Sequence, residues 1–171
     1  MKPLLYMSLC LVVIVILFTT ALFVVYPLKY KKHIIEASEF YNVDRVLIAS
    51  VINAESSFRK DAVSNKGAVG LMQIMPTTGE WVAGKMKIDF NDETLKDPHT
   101  NILIGTFYLN YLLGKFKDTR TALIAYNAGE GKVTTWLAEA GSTTLTTSPY
   151  PVTNRYVDKV LNSMGFYKIR F

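Results

Sequence analysis

Residues 44–76 read DRVLIASVINAESSFRKDAVSNKGAVGLMQIMP, and this stretch sets the architecture. Between Asp44 and Ala54, the residues Val46, Leu47, Ile48, Ala49, Val51, Ile52 and Ala54 leave almost no polar face. A helix of that kind is central and buried, and Asn42 or Asp44 serves as its N-cap. At the far end, Pro76 opens a second helix containing Trp81 and Val82, because proline is favoured at the first helical position.

Further along the chain, a third helix opens near Asp97-Pro98, where Ile102, Leu103, Gly105, Phe107, Tyr108, Leu109, Leu112 and Leu113 recur near helical spacing. Thr119 to Tyr126 and Val133 to Ala140 read as two more. Thr153 to Met164 closes the series with Tyr156, Val157, Val160 and Leu161 on one side. Gly141 to Ser148, rich in Ser and Thr, reads as a flexible loop. No sustained period-2 alternation suggests a sheet, so the fold class is mainly α.

Before this helical domain, Leu4 to Tyr26 forms 23 residues without a charged side chain. That is enough to cross a hydrocarbon core of about 30 Å at about 1.5 Å per residue, and Tyr6 and Tyr26 suit the interfaces. It explains a mean hydropathy of +0.19 in a chain that is 19% charged. A cleaved signal peptide would have a shorter apolar region, about 7–15 residues, and a small-x-small site; Thr19-Thr20-Ala21 is a faint version of one. A lipoprotein reading fails because Cys10 follows bulky Leu9 inside the apolar run. The chain therefore divides into a transmembrane anchor with a basic flank, 1–32, and a domain, 33–171. Lys29, Lys31 and Lys32 outnumber Lys2 plus the terminal amine. Taken alone, the positive-inside rule would hold the domain in the cytoplasm.

Charge and cysteine content exclude other classes. Four of the 19 basic residues lie in the first 32 positions, which leaves 15 basic and 14 acidic groups in residues 33–171. A domain so nearly neutral lacks the clustered Lys and Arg that nucleic-acid binding requires. One Cys allows no intramolecular disulfide, and with His33 and His99 far apart in sequence it supplies no spaced Cys/His zinc motif. Asp89, Asn91 and Glu93 lack the glycine at loop position 6 and the Glu at position 12 of an EF-hand, so they read as a solvated loop.

Glu55 is the most informative ionisable group. It follows the buried helix, where low-dielectric surroundings and the negative end of the helix dipole both favour a neutral carboxyl. A carboxyl held protonated near neutral pH is what a general acid acting on a glycosidic oxygen requires. Pairing with Arg59 at i+4 would lower its pKa instead. Gly67 to Pro76 combines glycines that allow close backbone approach, adaptable Met side chains and Gln73, which both donates and accepts hydrogen bonds. In Ala125-Tyr126-Asn127-Ala128-Gly129, a Tyr hydroxyl could reach a carboxyl, an Asn amide could hold an acetamido group, and Gly129 could cap a helix. Each of these segments also has an ordinary structural reading.

Together they carry a resemblance. Glu55-Ser56 with Phe58, the run Gly70 to Pro76, Asp97-Pro98 with Asn101-Ile102, Gly105 and Tyr108-Leu109, and Ala125 to Gly129 resemble, in order and spacing, the catalytic domain of the soluble lytic transglycosylases. The resemblance covers roughly Ile34 to Leu161. It implies a lysozyme-like, mainly α-helical fold that cleaves the bond from N-acetylmuramic acid to N-acetylglucosamine in peptidoglycan. Glu55 would be the sole catalytic carboxylate. Ser56, Gly70, Leu71, Met72, Gln73, Tyr126, Asn127 and Tyr156 would be the substrate-binding set, with Met72 and Gln73 lining the groove. One departure stands out: Val152-Thr153 precedes Tyr156-Val157 where the family usually has Glu-Thr.

With one acid, the chemistry implied is substrate-assisted. Protonated Glu55 donates to the leaving oxygen while the acetamido group stabilises the anomeric centre. Ionised Glu55 then takes the proton of the C6 hydroxyl and closes a 1,6-anhydro ring, without metal or organic cofactor. The expected partners are peptidoglycan strands and, through the anchor, membrane lipid, with the domain outside the cytoplasm and Lys32 to Ile34 as a tether. A hydrolase resembling goose-type lysozyme would need a second carboxylate, for which Asp61, Asp89, Asp92 and Glu93 are candidates. An inactive glycan-binding scaffold is the alternative from another class.

Overall fold

The computed structural model describes residues 2–91 and 93–171; the side chains of residues 2–5, 8 and 18 lie outside the description, as does Asp92. Eight α-helices follow in order: α1 Lys2–Val25, α2 Lys31–Tyr41, α3 Arg45–Ser56, α4 Pro76–Met86, α5 Pro98–Phe116, α6 Thr119–Ala128, α7 Glu130–Ala140 and α8 Pro151–Arg170. A 3-10 turn at Thr94–Lys96 precedes α5. The described residues contain no strand, only isolated bridges joining Val69 to Val63 and Ile74.

The helix starts follow local chemistry. Asp44 caps α3 by accepting from Val46 N at 2.8 Å, Asp97 caps α5 from Thr100 N at 2.8 Å, and Asp118 caps α6 from Thr121 N at 2.7 Å. Each such cap stabilises by about 1 kcal/mol. Asn42 instead ends α2 in a left-handed conformation, φ 52°. Pro76 and Pro98 occupy the first helical turns of α4 and α5.

Ile48, Ala49, Val51 and Ile52 of α3 are completely buried, with α2 and α8 packed against the helix. Around this centre, α5 packs on α2, α4 and α6, and α6 joins α7 and α8. The loop between α3 and α4 is tied to the start of α5 by one buried side chain. Asn101 donates to the carbonyls of Val69 (3.0 Å) and Leu95 (2.8 Å), and accepts from Met72 N at 2.8 Å.

Two expectations are corrected. Lys32 to Ile34 is no tether: it lies in α2, and Ile34 is fully buried. The residues between α1 and α2 are held as well, by Tyr26 stacked on Phe166 (4.2 Å between centroids) and by Tyr167 donating to Pro27 O at 3.0 Å. The loop at 141–148 is likewise pinned. Thr121 Oγ1 accepts from Leu145 N at 2.9 Å, and Asn154 Oδ1 accepts from Ser148 N at 2.7 Å.

α1 is a 24-residue helix, about 36 Å long at 1.5 Å per residue. Consecutive apolar residues from Leu11 to Leu17 are each 47% to 64% exposed, so no face of the helix is covered by protein there. Among the described residues, no helix is long and apolar enough to cross a membrane.

Asn101→Ala removes three hydrogen bonds, two of them fully buried, and leaves their partners unpaired. Urea unfolding of the full chain in detergent micelles is expected to show a loss of about 2–4 kcal/mol.

Candidate active site

The last turn of α3 carries Glu55, and the chain then leaves the helix through two left-handed residues, Ser57 (φ 51°) and Phe58 (φ 61°). Such backbone costs roughly 1–2 kcal/mol per residue and persists where surrounding packing fixes it. Phe58 is buried. Ser56 Oγ donates to Leu71 O at 2.8 Å, and Arg59 Nε donates to Ser56 O at 3.0 Å. Arg59 thus closes the helix end, and no ion pair holds Glu55 among the described residues.

Glu55 opens into a cavity of about 490 Å³, lined also by Gln73, Ile74, Met75, Tyr108, Tyr126, Asn127 and Val152, with Ser64 and Lys66 at the side. A second depression, of about 370 Å³, shares Thr78, Tyr108 and Gly129 with the first and extends it past Trp81 to Glu130. The two form a groove along the first half of α4, the middle of α5 and the end of α6. Glu55 is the sole carboxylate lining the main cavity among the described residues. Asp61 borders a different depression, with Lys29 and Tyr30, and Glu130 is engaged by Lys115 at 3.3 Å.

Although one face of Glu55 meets the cavity, surrounding atoms strip most water from its carboxyl. Burial raises its pKa to about 7, against the opposing pull of the Tyr156 hydroxyl and the Lys159 charge. The Lys159 ammonium donates to Ala54 O at 3.0 Å. The Tyr156 hydroxyl is buried beside Glu55 but completes no well-formed hydrogen bond among the described residues, so it is free to donate when the carboxyl ionises. The buried hydroxyls of Tyr126 and Tyr156 are both pushed well above the ordinary tyrosine range, first by burial and then by the nearby Glu55. They stay protonated donors throughout the accessible pH range.

The other residues singled out in the sequence divide between the cavity and its supports. Gln73, Tyr126 and Asn127 line the cavity. Gln73 has φ 49° and donates through Nε2 to Ala62 O and Gly70 O, each at 2.9 Å. Tyr126 donates to Met72 O at 2.9 Å rather than to a carboxyl, and Asn127 Oδ1 accepts from Thr153 Oγ1 at 2.8 Å. Met72 does not line the cavity. Its side chain is fully buried, with Thr106 Oγ1 donating to its sulfur at 3.9 Å. A Cβ at Gly105 would overlap that sulfur. Ser56 and Leu71 are also buried behind the wall, and Gly70, φ 82°, passes so close to Asn101 that a Cβ would overlap its amide.

Sequence reasoning assigned no site role to Tyr108, Met75, Thr78 or Lys159. Tyr108 carried a signal, since it belongs to a motif of the resemblance and follows Gly105 by three residues. Lys159 carried none, because it reaches Glu55 only through the packing of α8 on α3.

A helical domain whose open groove ends on one largely desolvated carboxyl of raised pKa is a glycosidase-like architecture of the single-acid kind. The chain belongs to the transglycosylase SLT domain family, whose profile matches residues 32–147. It is 31% identical over 150 residues to a putative soluble lytic murein transglycosylase of Haemophilus influenzae, covering 84% of this chain and 25% of that protein. It is 40% identical over 122 residues to membrane-bound lytic murein transglycosylase C of Serratia proteamaculans, covering 61% and 32%. The crystal structure of the 70 kDa soluble lytic transglycosylase of Escherichia coli superposes with a TM-score of 0.77 at 32% identity, over 84% of this chain and 25% of that one. The chain thus spans about a quarter of the length of the soluble relatives it matches.

A raised carboxyl pKa costs stability once the unfolded chain ionises. Between its ordinary value of 4.5 and about 7, Glu55 binds a proton in the folded state but not in the unfolded state, so this group makes stability fall as pH rises through that window. Glu55→Gln is therefore expected to be more stable than the parent at pH 8 by about 2–3 kcal/mol, a figure that discounts the shift for the face open to solvent. The difference should shrink to near zero at pH 4, and paired urea titrations at the two pH values check it.

Proposed function

We propose that the protein is a peptidoglycan lytic transglycosylase in which Glu55 acts alone, first as general acid and then as general base. The observation that carries this reading is a buried Glu55 with a pKa of about 7 as the sole carboxylate lining the main cavity among the described residues. Held neutral, it delivers its proton to the glycosidic oxygen between N-acetylmuramic acid and N-acetylglucosamine. The substrate's acetamido group stabilises the anomeric centre, and Asn127 at the cavity edge is suited to hold the glycan near it. Once ionised, Glu55 is stabilised by the Tyr156 hydroxyl and Lys159, and it removes the C6 hydroxyl proton. The C6 oxygen closes the 1,6-anhydro ring, so no water is consumed and Glu55 regains its proton. Gln73, Tyr126 and Tyr108 shape the sugar groove. Ser56, Gly70, Leu71 and Met72 act behind it by fixing the wall, and Tyr156 acts on Glu55 itself.

The reading extends to location. Leu4 to Tyr26 carries no charged side chain over 23 residues, and Leu11 to Leu17 of α1 are apolar and exposed on every face, which suits lipid as its solvent. α1 anchors the chain, and the catalytic domain faces the side of the membrane that holds peptidoglycan. Lys29, Lys31 and Lys32 then meet anionic headgroups on that side, against the usual charge bias. A membrane-bound relative supports the anchored arrangement.

Digestion of purified peptidoglycan by the full chain should yield 1,6-anhydro ends, lighter by one water than reducing ends in mass spectrometry. Reducing ends alone would assign a hydrolase, and Glu55→Gln should release neither product while still binding glycan. Turnover should decline as pH rises through about 7, when the acid loses its proton. Externally added protease should cleave residues 33–171 in spheroplasts with intact membranes; protection until permeabilisation would overturn the topology.

A further inference from the structure

We propose that His33, Glu36 and His99 form a binding site for one divalent transition-metal ion of the zinc class, clamping α2 to the start of α5. His33 and Glu36 stand at i and i+3 on α2, so they share a face. His99 is in the first turn of α5, and α2 packs against α5. One ring nitrogen of each His and one carboxylate oxygen all lie within 4.8 Å of one another. The imidazole rings are tilted at 55° with centroids 4.9 Å apart. Two imidazoles and one carboxylate are a donor set suited to zinc, with a fourth position left for water.

The hydrogen bonding at this corner is incomplete in the way a ligand site would make it. Nδ1 of His33 and Nε2 of His99 are both buried, and neither has a hydrogen-bond partner among the described residues. His99 Nε2 approaches Glu36 Oε1 to 3.2 Å without the geometry of a hydrogen bond. Leaving a buried nitrogen unpaired is costly, and a metal ion would occupy both lone pairs at once. Ligands bound at about 2.0–2.1 Å in a tetrahedron are separated by roughly 3.3 Å, so closing the site requires a modest contraction, available to the half-exposed Glu36 side chain. None of the three residues lines the groove at Glu55, so binding is read without turnover.

The test uses the untagged full chain in detergent micelles, titrated with Zn²⁺ in a calorimeter and heated with and without the metal. One equivalent should bind saturably and raise Tm by mass action, and Co²⁺ should give the d–d absorption of nitrogen and oxygen ligation. His33→Gln and His99→Gln should each weaken binding by roughly 10- to 100-fold or more, the loss that even outer partners of a metal site cause, and abolish the Tm shift. Where a His variant proves unfolded in EDTA, Glu36→Gln, at an exposed position, decides by the same readout. Absence of saturable binding would overturn the site, as would isotherms and Tm shifts unchanged by these substitutions.

Discussion

Packing of α8 across the last turn of α3 removes water from the Glu55 carboxyl, and the raised pKa on which the proposed mechanism rests depends on that desolvation. Val157 and Val160 of α8 and Ile52 of α3 are completely buried, so the helices meet through apolar surface up to the acid itself. The same helix α8 brings the two groups that oppose the effect, Tyr156 and Lys159, but burial outweighs them both. A group poised in this way gives up a proton without becoming an unsupported charge, since a hydroxyl donor and an ammonium stand close by. The arrangement works against stability above pH 4.5, which is the conflict expected where a fold supports a reactive group.

The wall facing Glu55 is held mostly from behind, by buried side chains outside the cavity, together with Tyr126 from its lining. Asn101 fixes the backbone at Val69, Met72 and Leu95, Ser56 fixes Leu71, and Tyr126 fixes the Met72 carbonyl. Gly70 and Gly105 are needed because backbone and the Met72 sulfur pass where a Cβ would lie. The run from Gly70 to Gln73 is thus mainly a device for shaping a turn, with only Gln73 presented to the cavity. Val152 lines the cavity as an exposed apolar residue, so that rim offers apolar contact area.

A third set of contacts joins the end of α1 to the end of α8. Tyr26 stacks on Phe166, Tyr167 donates to Pro27 O, and Arg170 donates to Tyr26 O. The helix that desolvates Glu55 therefore also grips the segment leaving α1. With α1 in a bilayer, the groove would be held at a short and defined distance from the membrane rather than on a free linker.

Helix positions were largely legible in the sequence because their causes are local. Apolar spacing marked α3 and α5, Asp44 and Asp97 marked helix starts, and Pro76 began α4. Glu55 was conspicuous as an acid at the end of an apolar helix, and the ordered motifs indicated the family. α2 escaped notice because KKHIIEASEFY mixes polar and apolar residues, buries only Ile34 and Ala37, and begins at Tyr30 without a side-chain cap. Tertiary structure alone decided that Lys159 faces Glu55, that Met72 turns inward against Gly105, and that His33 meets His99. The physical reason is common to all three. Caps and helical periods are set by neighbours within a few residues, whereas desolvation, charge proximity and side-chain direction in a core depend on elements brought together from distant parts of the chain.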